Sequence, residues 1–188
     1  MLAQIVSLLL GTAASLLSVA FLARVYMQWT RSSFRNPVGQ FIIALTDWAV
    51  RPLRRVIPGL FGIDLASLFA AWLVQIVYFG IMAGLTGLVL VTPAAILGVA
   101  VLAVIAVLRM AVYLMMGVVI IAALLSWINP YSPLAPLFNA LASPLLGPAR
   151  RIIPPFGGID LSPLVVLLLL QIVLIVLAGL QPGALLLP

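Results

Sequence analysis

The sequence predicts an all-α membrane protein in which four transmembrane helices form two parallel helical-hairpin repeats, each with an interfacial amphipathic helix. Three observations predict this class. Of 188 residues, 66% are hydrophobic and 6% are charged, which leaves too few polar side chains to cover a soluble core. The uncharged residues form runs that are long enough to cross a bilayer. A polar motif also occurs twice at one fixed offset, which indicates a tandem duplication.

The first span is predicted over residues 2–27. Its apolar run imitates a secretory signal peptide. However, no basic residue precedes the run, and the run is longer than the apolar part of such a signal. We therefore expect a retained transmembrane helix.

The second, third and fourth spans are predicted over residues 65–91, 101–127 and 161–180. Residues 65–108 carry no charge and exceed the roughly 20 helical residues of one crossing. Proline removes a backbone donor and disfavours helix before it, so Thr92-Pro93 is the expected break. Residues 94–107 either extend the third span or form a separate short helix at the outer surface.

A helix that lies in the membrane interface is predicted between the first two spans. Its polar residues fall on the side opposite an apolar stripe, which is the pattern of an amphipathic helix. Asp47 and Arg51 can pair at i, i+4. The counterpart over 134–146 keeps the stripe but has no charge. The stripe of the first helix comprises Val38, Phe41, Ile42, Leu45, Trp48 and Ala49.

The duplicated motif is "RRVIPGLFGIDLAS" from residue 54 and "RRIIPPFGGIDLSP" from residue 150. The two copies are 96 residues apart (150 minus 54), and eight of their fourteen residues match. This repetition divides the chain into a first repeat, 1–93, and a second repeat, 94–188. Each repeat contains two spans, an even number, so both copies enter the membrane in the same sense and are parallel.

The arginines predict the orientation. Because most of them fall on one side, the positive-inside rule makes that side cytoplasmic and places both termini of this multi-pass protein outside. Arg109 precedes Trp127 by 18 residues, about 27 Å of helix, which places it near the opposite interface. The arginines on the predicted cytoplasmic side are Arg24, Arg31, Arg35, Arg51, Arg54, Arg55, Arg150 and Arg151.

The arginine pair, the proline and the Gly-Ile-Asp-Leu segment of this motif resemble the YggT family of bacterial membrane proteins, whose relatives include YlmG and plastid counterparts. The second copy fits that pattern best, whereas the first has Gly59-Leu60-Phe61 in place of the Pro-Pro pattern. The resemblance implies a location in a bacterial inner membrane and no settled catalytic activity. It implies loose links to osmotic tolerance, to envelope growth and division, and in plastid relatives to cytochrome assembly.

The composition excludes several kinds of chemistry. The chain has neither histidine nor cysteine, so Ser–His–Asp and Cys–His catalysis are impossible within it. Thiolate and imidazole ligation are excluded too, and we expect no metal and no cofactor. An excess of basic over acidic residues often indicates a protein that binds nucleic acid. On a chain this apolar, the excess is better explained by membrane topology and contact with lipid headgroups, and we expect no nucleic acid as a partner.

Paired arginines at each motif, Arg54 with Arg55 and Arg150 with Arg151, are the candidate lipid- or partner-binding residues. Three interpretations remain open for them: topology anchors, a clamp for anionic lipid, or a docking patch for a soluble partner. The other motif residues are expected to form a structural corner, in which proline ends one helix, glycine allows a sharp bend and aspartate caps the next span. These residues are Pro58, Gly62 and Asp64 in the first copy, and Pro154, Gly158 and Asp160 in the second.

Two glutamines are predicted within the membrane. Gln75 and Gln171 each follow their motif aspartate by 11 residues, about 16 Å deeper on the same helix face. We expect them to hydrogen-bond to each other, within the chain or across a dimer, and so to hold two helices together. The alternative is that they line a polar pathway.

These features predict a non-enzymatic membrane scaffold or assembly adaptor. Its expected partners are anionic lipid headgroups and a membrane or cytoplasmic protein, and its small-residue faces also suit a homo-oligomer. The alternative is a small channel or transporter-like component that uses Asp64 with Asp160 and Gln75 with Gln171. Two intramembrane glutamines are few for a pore and sufficient for helix packing.

Overall fold

The computed structural model of the chain describes residues 2–59, 62–85, 87, 92–153 and 160–180. These residues form six α-helices and no β-strand. Four of the helices are long and apolar enough to cross a membrane, and the other two connect them in pairs. The helices are α1 Leu2–Trp29, α2 Pro37–Leu53, α3 Leu65–Leu85, α4 Pro93–Ile128, α5 Ala135–Ile152 and α6 Ser162–Gly179.

Helix α4 determines how residues 94–107 are folded. It runs without a break for 36 residues, about 54 Å, so this segment extends the third span. The helix begins where the Thr92 side chain accepts a hydrogen bond from the Ala95 N–H and Pro93 occupies the first turn, a favourable start. The second span is predicted to reach residue 91, whereas α3 ends at Leu85 and Gly87 stands in a turn with φ +74°. Residues 86 and 88–91 lie outside the described residues.

The two Asn-Pro turns are not equivalent. Asn36 caps α2, and its side chain accepts from the Gly39 N–H at 2.8 Å. Asn129 instead ends α4, and α5 begins only at Ala135, without a side-chain cap. The Asn-Pro pair therefore stands at the end of the seven-residue connection in the first repeat and at the start of the six-residue connection in the second.

Helices α1 and α4 lie at the centre of the fold. Helix α1 packs against α2, α3 and α4, and α4 packs also against α3, α5 and α6. The α1–α2 and α4–α5 turns lie side by side, since Arg31 and Asn36 line one cavity together with Pro133 and Pro136. Both turns are thus at one end of the molecule, as parallel repeats require. We call this the arginine-rich end.

Arg109 is half-buried in the middle part of α4, 16 residues after Pro93. Three residues further on, Val112 packs against Leu174 and Leu177. These two residues lie in the C-terminal part of α6, which is remote from the arginine-rich end. Relative to α6, Arg109 therefore lies towards the end remote from the arginine-rich end. Relative to α3 it lies at mid-helix, because the neighbouring Met110 contacts Gln75.

Candidate functional site at the arginine-rich end

Asp64 directly precedes α3 and is almost fully buried, with 2% of its surface exposed. Its carboxylate accepts hydrogen bonds from the backbone N–H of Ser67 at 3.2 Å and from the Ser67 hydroxyl at 2.7 Å. This is the geometry of a helix N-cap, in which a side-chain oxygen accepts from a backbone donor of the first turn. The aspartate thus starts the second span, as the motif predicts.

An ion-pair network surrounds this cap and joins three helices. Arg54 at the end of α2 donates to Asp64 at 2.5 Å and to Gln28 of α1 at 3.0 Å. Arg24 of α1 lies 3.5 Å from Asp64 and donates to Asp47 of α2 at 2.7 Å. Because Arg24 is only 7% exposed, its charge depends on these two carboxylates.

The other end of the network lies on α2. Asp47 also pairs with Arg51 at 2.7 Å, as the i, i+4 spacing predicts. Thr46 is fully buried beside it and accepts a second hydrogen bond from Arg24 at 2.8 Å. Both polar residues of α2 that face the bundle therefore hold the same guanidinium.

The network keeps its carboxyl groups ionised. Desolvation alone would raise the pKa of Asp64, but hydrogen bonds from Arg54 and Ser67 outweigh it and lower the pKa below its usual value. Desolvation would likewise raise the pKa of Asp47, but the hydrogen bonds and charges of Arg24 and Arg51 together outweigh it and lower this pKa. These groups stay negative at neutral pH.

The second copy of the motif forms an exposed ion pair instead of a network. Arg150 donates to Asp160 at 2.8 Å, with 52% and 34% of the two side chains exposed. Asp160 also accepts from the Ser162 N–H at 2.9 Å, and the pKa of Asp160 is lowered because its hydrogen bonds outweigh its desolvation. At the motif offset of 96, the position of Asp47 is taken by Ser143.

The structure separates the two arginines of each pair. Arg54 and Arg150 are held by aspartates, whereas Arg55 and Arg151 are exposed and, among the described residues, have no ion pair or side-chain hydrogen bond. The protein has only three carboxylate side chains, and each of them is already in an ion pair. Arg55 and Arg151 thus carry positive charge without a carboxylate of this chain.

The corner between the connecting helix and the span is described in the first copy only. Pro58 follows the end of α2, and Gly62 has φ +81°, a left-handed conformation that glycine adopts without strain. This agrees with the bend expected from the motif. Pro154 and Gly158 lie outside the described residues.

The two motif glutamines have different surroundings. Gln75 is 1% exposed and donates to Ser18 of α1 at 3.0 Å and to the sulfur of Met110 of α4 at 3.3 Å. Gln171 is exposed on α6. The expected pairing of Gln75 with Gln171 within the chain is therefore wrong, because α1 and α4 already enclose Gln75. The two side chains also do not line one polar pathway, which was the alternative.

Arg24 is the site residue that the sequence patterns did not single out. The first uncharged run ends at Ala23, so the sequence predicts that Arg24 is one of the arginines that set the topology. Helix α1 continues past it to Trp29, and this places the guanidinium inside the bundle. The sequence contains a signal for this placement of Arg24, since its helical pattern does not end at Ala23. Its partner Asp47 is recognisable as the only acid on the connecting helix.

The fold and this site together define a class: an all-helical membrane protein of two tandem hairpin units, each with an arginine–aspartate corner where the second span begins. The model of the CCB3/YggT family matches the chain twice, over residues 3–85 and 101–181. The protein belongs to the CCB3/YggT family.

Relatives from three bacteria extend over most of the chain. It is 35% identical over 166 residues to the uncharacterized protein YggT of Escherichia coli K12, covering 88% of this chain and 85% of that protein. It is 38% identical over 172 residues to the uncharacterized protein PA0392 of Pseudomonas aeruginosa, covering 88% and 84%. It is 34% identical over 166 residues to a Vibrio alginolyticus protein named for the proC 3' region, covering 88% and 89%. No solved structure matches the chain.

Proposed function

We propose that this protein is a non-enzymatic scaffold or assembly adaptor of the bacterial inner membrane, whose arginine-rich end faces the cytoplasm and contacts anionic headgroups. Eight of the nine arginines are at that end, and the positive-inside rule supports this orientation, with both termini outside. The connecting helices would lie in the interface plane. Phe41 and Trp48 of α2 are both 67% exposed, which suits the boundary between headgroups and acyl chains.

The observation that carries the proposal is the pair of free arginines. Arg55 and Arg151 follow directly after the paired arginines at the ends of α2 and α5, each beside the start of a span. A guanidinium can bind phosphate through two parallel hydrogen bonds. Near an anionic membrane surface, each such charge contributes about 1 kcal/mol.

The state of the carboxylates supports a non-enzymatic role. General acid–base catalysis at neutral pH needs a group whose pKa lies near that pH. The pKa values of Asp47, Asp64 and Asp160 are all shifted the other way, below the usual value. Each carboxylate also holds an arginine in place, so its chemistry is structural.

Retention of lipid tests the proposal. We expect the double variant Arg55→Gln/Arg151→Gln, purified in mild detergent, to bind anionic lipid at least about tenfold more weakly by native mass spectrometry, because two headgroup contacts are lost. Arg51→Gln is the control, since it removes an exposed charge that Asp47 already holds. Unchanged lipid retention in the double variant would leave both arginines as topology signals only.

The same variant separates a lipid site from a protein-docking patch. Affinity purification with mass spectrometry would identify a cytoplasmic or membrane protein that the wild type retains and the double variant loses. Such a result, with lipid retention unchanged, would assign the arginines to a protein partner. For the physiological setting we propose envelope or osmotic-stress tolerance. The expected result is that the wild-type chain, but not the double variant, restores growth of a deletion strain at high osmolarity.

A further inference from the structure

Gln171 occupies an unfavourable position for a polar side chain. It lies 9 residues after Ser162 and 8 before Gly179, the ends of α6, so it is about 12–14 Å from either end of the span. Its side chain is exposed and makes no hydrogen bond among the described residues. Lipid tails offer a carboxamide no partner, and at mid-span depth it cannot reach the interface.

Five of the exposed residues of α6, with Gln171 among them, form a regular seam. From residue 164 they follow at steps of four, three, four and three, the 3.5-residue period with which one helix packs along another. Three of them are large aliphatic side chains, with 57%, 57% and 64% exposed for Leu164, Leu168 and Ile175. Gln171 stands in the middle of this α6 seam. The seam consists of Leu164, Leu168, Gln171, Ile175 and Ala178, all exposed.

The first repeat shows that the corresponding face is one that packs against a helix. Subtracting the offset of 96 gives Leu68, Trp72, Gln75, Phe79 and Met82. There, Trp72 donates to the Ala100 carbonyl of α4 at 3.2 Å and Gln75 contacts Met110 of the same helix. Among the described residues, α6 packs extensively against α4 and α5 and leaves the five seam side chains exposed, so the equivalent face of the second repeat has no such neighbour there.

We propose that the α6 seam pairs with the same seam of a second copy of this chain, with the two Gln171 side chains hydrogen-bonded to each other at mid-membrane. All copies share one orientation in a membrane, so a two-fold axis along the membrane normal brings α6 against α6 in parallel and in register. Like residues then face each other. A carboxamide carries both donors and an acceptor, and two of them can satisfy each other reciprocally.

Cysteine cross-linking tests the geometry, and the chain has no native cysteine to remove. We expect Leu168→Cys and Ile175→Cys to form disulfide-linked dimers when native membranes are oxidised. Leu169→Cys and Val176→Cys are the matched controls, equally exposed at 56% and 57% but roughly 140–160° around the helix from Gln171. These two should not cross-link.

Substitution of the glutamine tests the hydrogen bond. Gln171→Leu should raise the dimer dissociation constant in lipid bilayers roughly 3- to 30-fold, while Leu169→Ala leaves it unchanged. Because Gln171 is exposed, the thermal melt of the monomer in detergent should stay the same, which separates lost pairing from misfolding. Four outcomes would each overturn the proposal. They are equal cross-linking on both faces, an unaltered dimer in Gln171→Leu, a monomer at all protein-to-lipid ratios, and cross-links from Leu168→Cys to Leu8→Cys on α1.

Discussion

At the scale of single residues, the two copies of the motif use the same aspartate in different electrostatic settings. Asp64 is buried between Arg24 and Arg54, whereas Asp160 is partly exposed and pairs with Arg150 alone. Removing one partner of a buried ion pair leaves an uncompensated charge, which is costly, but an exposed pair contributes little. The matching residues of the two motifs therefore differ in their contribution to stability.

Asparagine at these two positions gives the first prediction. Asp64→Asn should lower the free energy of unfolding by about 2–4 kcal/mol, because asparagine can still cap α3 but leaves Arg24 with Asp47 alone. Asp160→Asn should cost no more than about 1 kcal/mol. Thermal melts in detergent give both values. Equal losses would contradict the buried network, and a stable but inactive Asp160→Asn protein would favour the channel alternative.

The carboxylates also predict an acid limit of stability. A carboxyl group whose folded-state pKa is lowered stabilises the fold above its unfolded-state pKa, and this contribution disappears as pH falls through the folded-state pKa. The pKa of Asp64 lies below the ordinary value of 3.8, so stability should be constant from about pH 7 to 5 and decrease below about pH 4. A pH series of melts measures this. In Asp64→Asn the decrease should be smaller, and an equal decrease would assign it to other groups.

At the scale of the helices, the start of α2 depends on the close approach of two backbone segments. A Cβ on Gly39 would lie 2.7 Å from the Phe34 Cα and 2.8 Å from the Phe34 carbonyl oxygen. The Gly39 N–H is also the donor to the Asn36 cap. The turn between α1 and α2 therefore accepts no side chain at this position.

Alanine substitution tests this contact. Gly39→Ala should destabilise the protein by about 1–3 kcal/mol, because backbone atoms cannot move aside as a flexible side chain can. Gly98→Ala is the control, since a Cβ there meets no atom within 4 Å and alanine favours helix. Its melting temperature should stay equal or rise. If Gly39→Ala melted like the wild type, the described turn would be wrong.

At the scale of the whole molecule, parallel repeats place both connecting turns at one end. Ser32 belongs to the α1–α2 turn and Ser132 to the α4–α5 turn, and both turns border the same cavity. The proposed orientation puts this end in the cytoplasm. A single experiment can test whether both turns are on one side, and which side that is.

Cysteine labelling is that experiment. Single cysteines at Ser32 and Ser132 should react with a membrane-impermeant reagent only from the cytoplasmic side. One at Gln181 should react only from outside. Labelling of Ser32 and Ser132 from opposite sides would contradict the parallel repeat, whereas labelling of both from outside would reverse the orientation alone.

The sequence by itself determined the helical class, the four spans, the duplication and the aspartate that caps the start of α3. The class and the spans depend on composition, and the duplication depends on identical residues at one offset. The cap depends on close neighbours, since Asp64 accepts a hydrogen bond from the N–H of Ser67, three residues further on. Local patterns also predicted the pairing of Asp47 with Arg51. Helical periodicity and capping involve residues within a few turns of one another, so they can be recognised from the sequence alone.

Only the tertiary structure decided which copy of the motif is buried and which glutamine is satisfied. Arg24 is 40 residues from Asp64 (64 minus 24), and their contact depends on how α1 packs against α3. Gln75 finds Ser18 and Met110 because α3 lies between α1 and α4, whereas α6 at the edge of the bundle leaves Gln171 exposed. Identical residues in the two copies of the motif differ in burial because burial depends on the residues packed around them. Those residues come from distant parts of the chain.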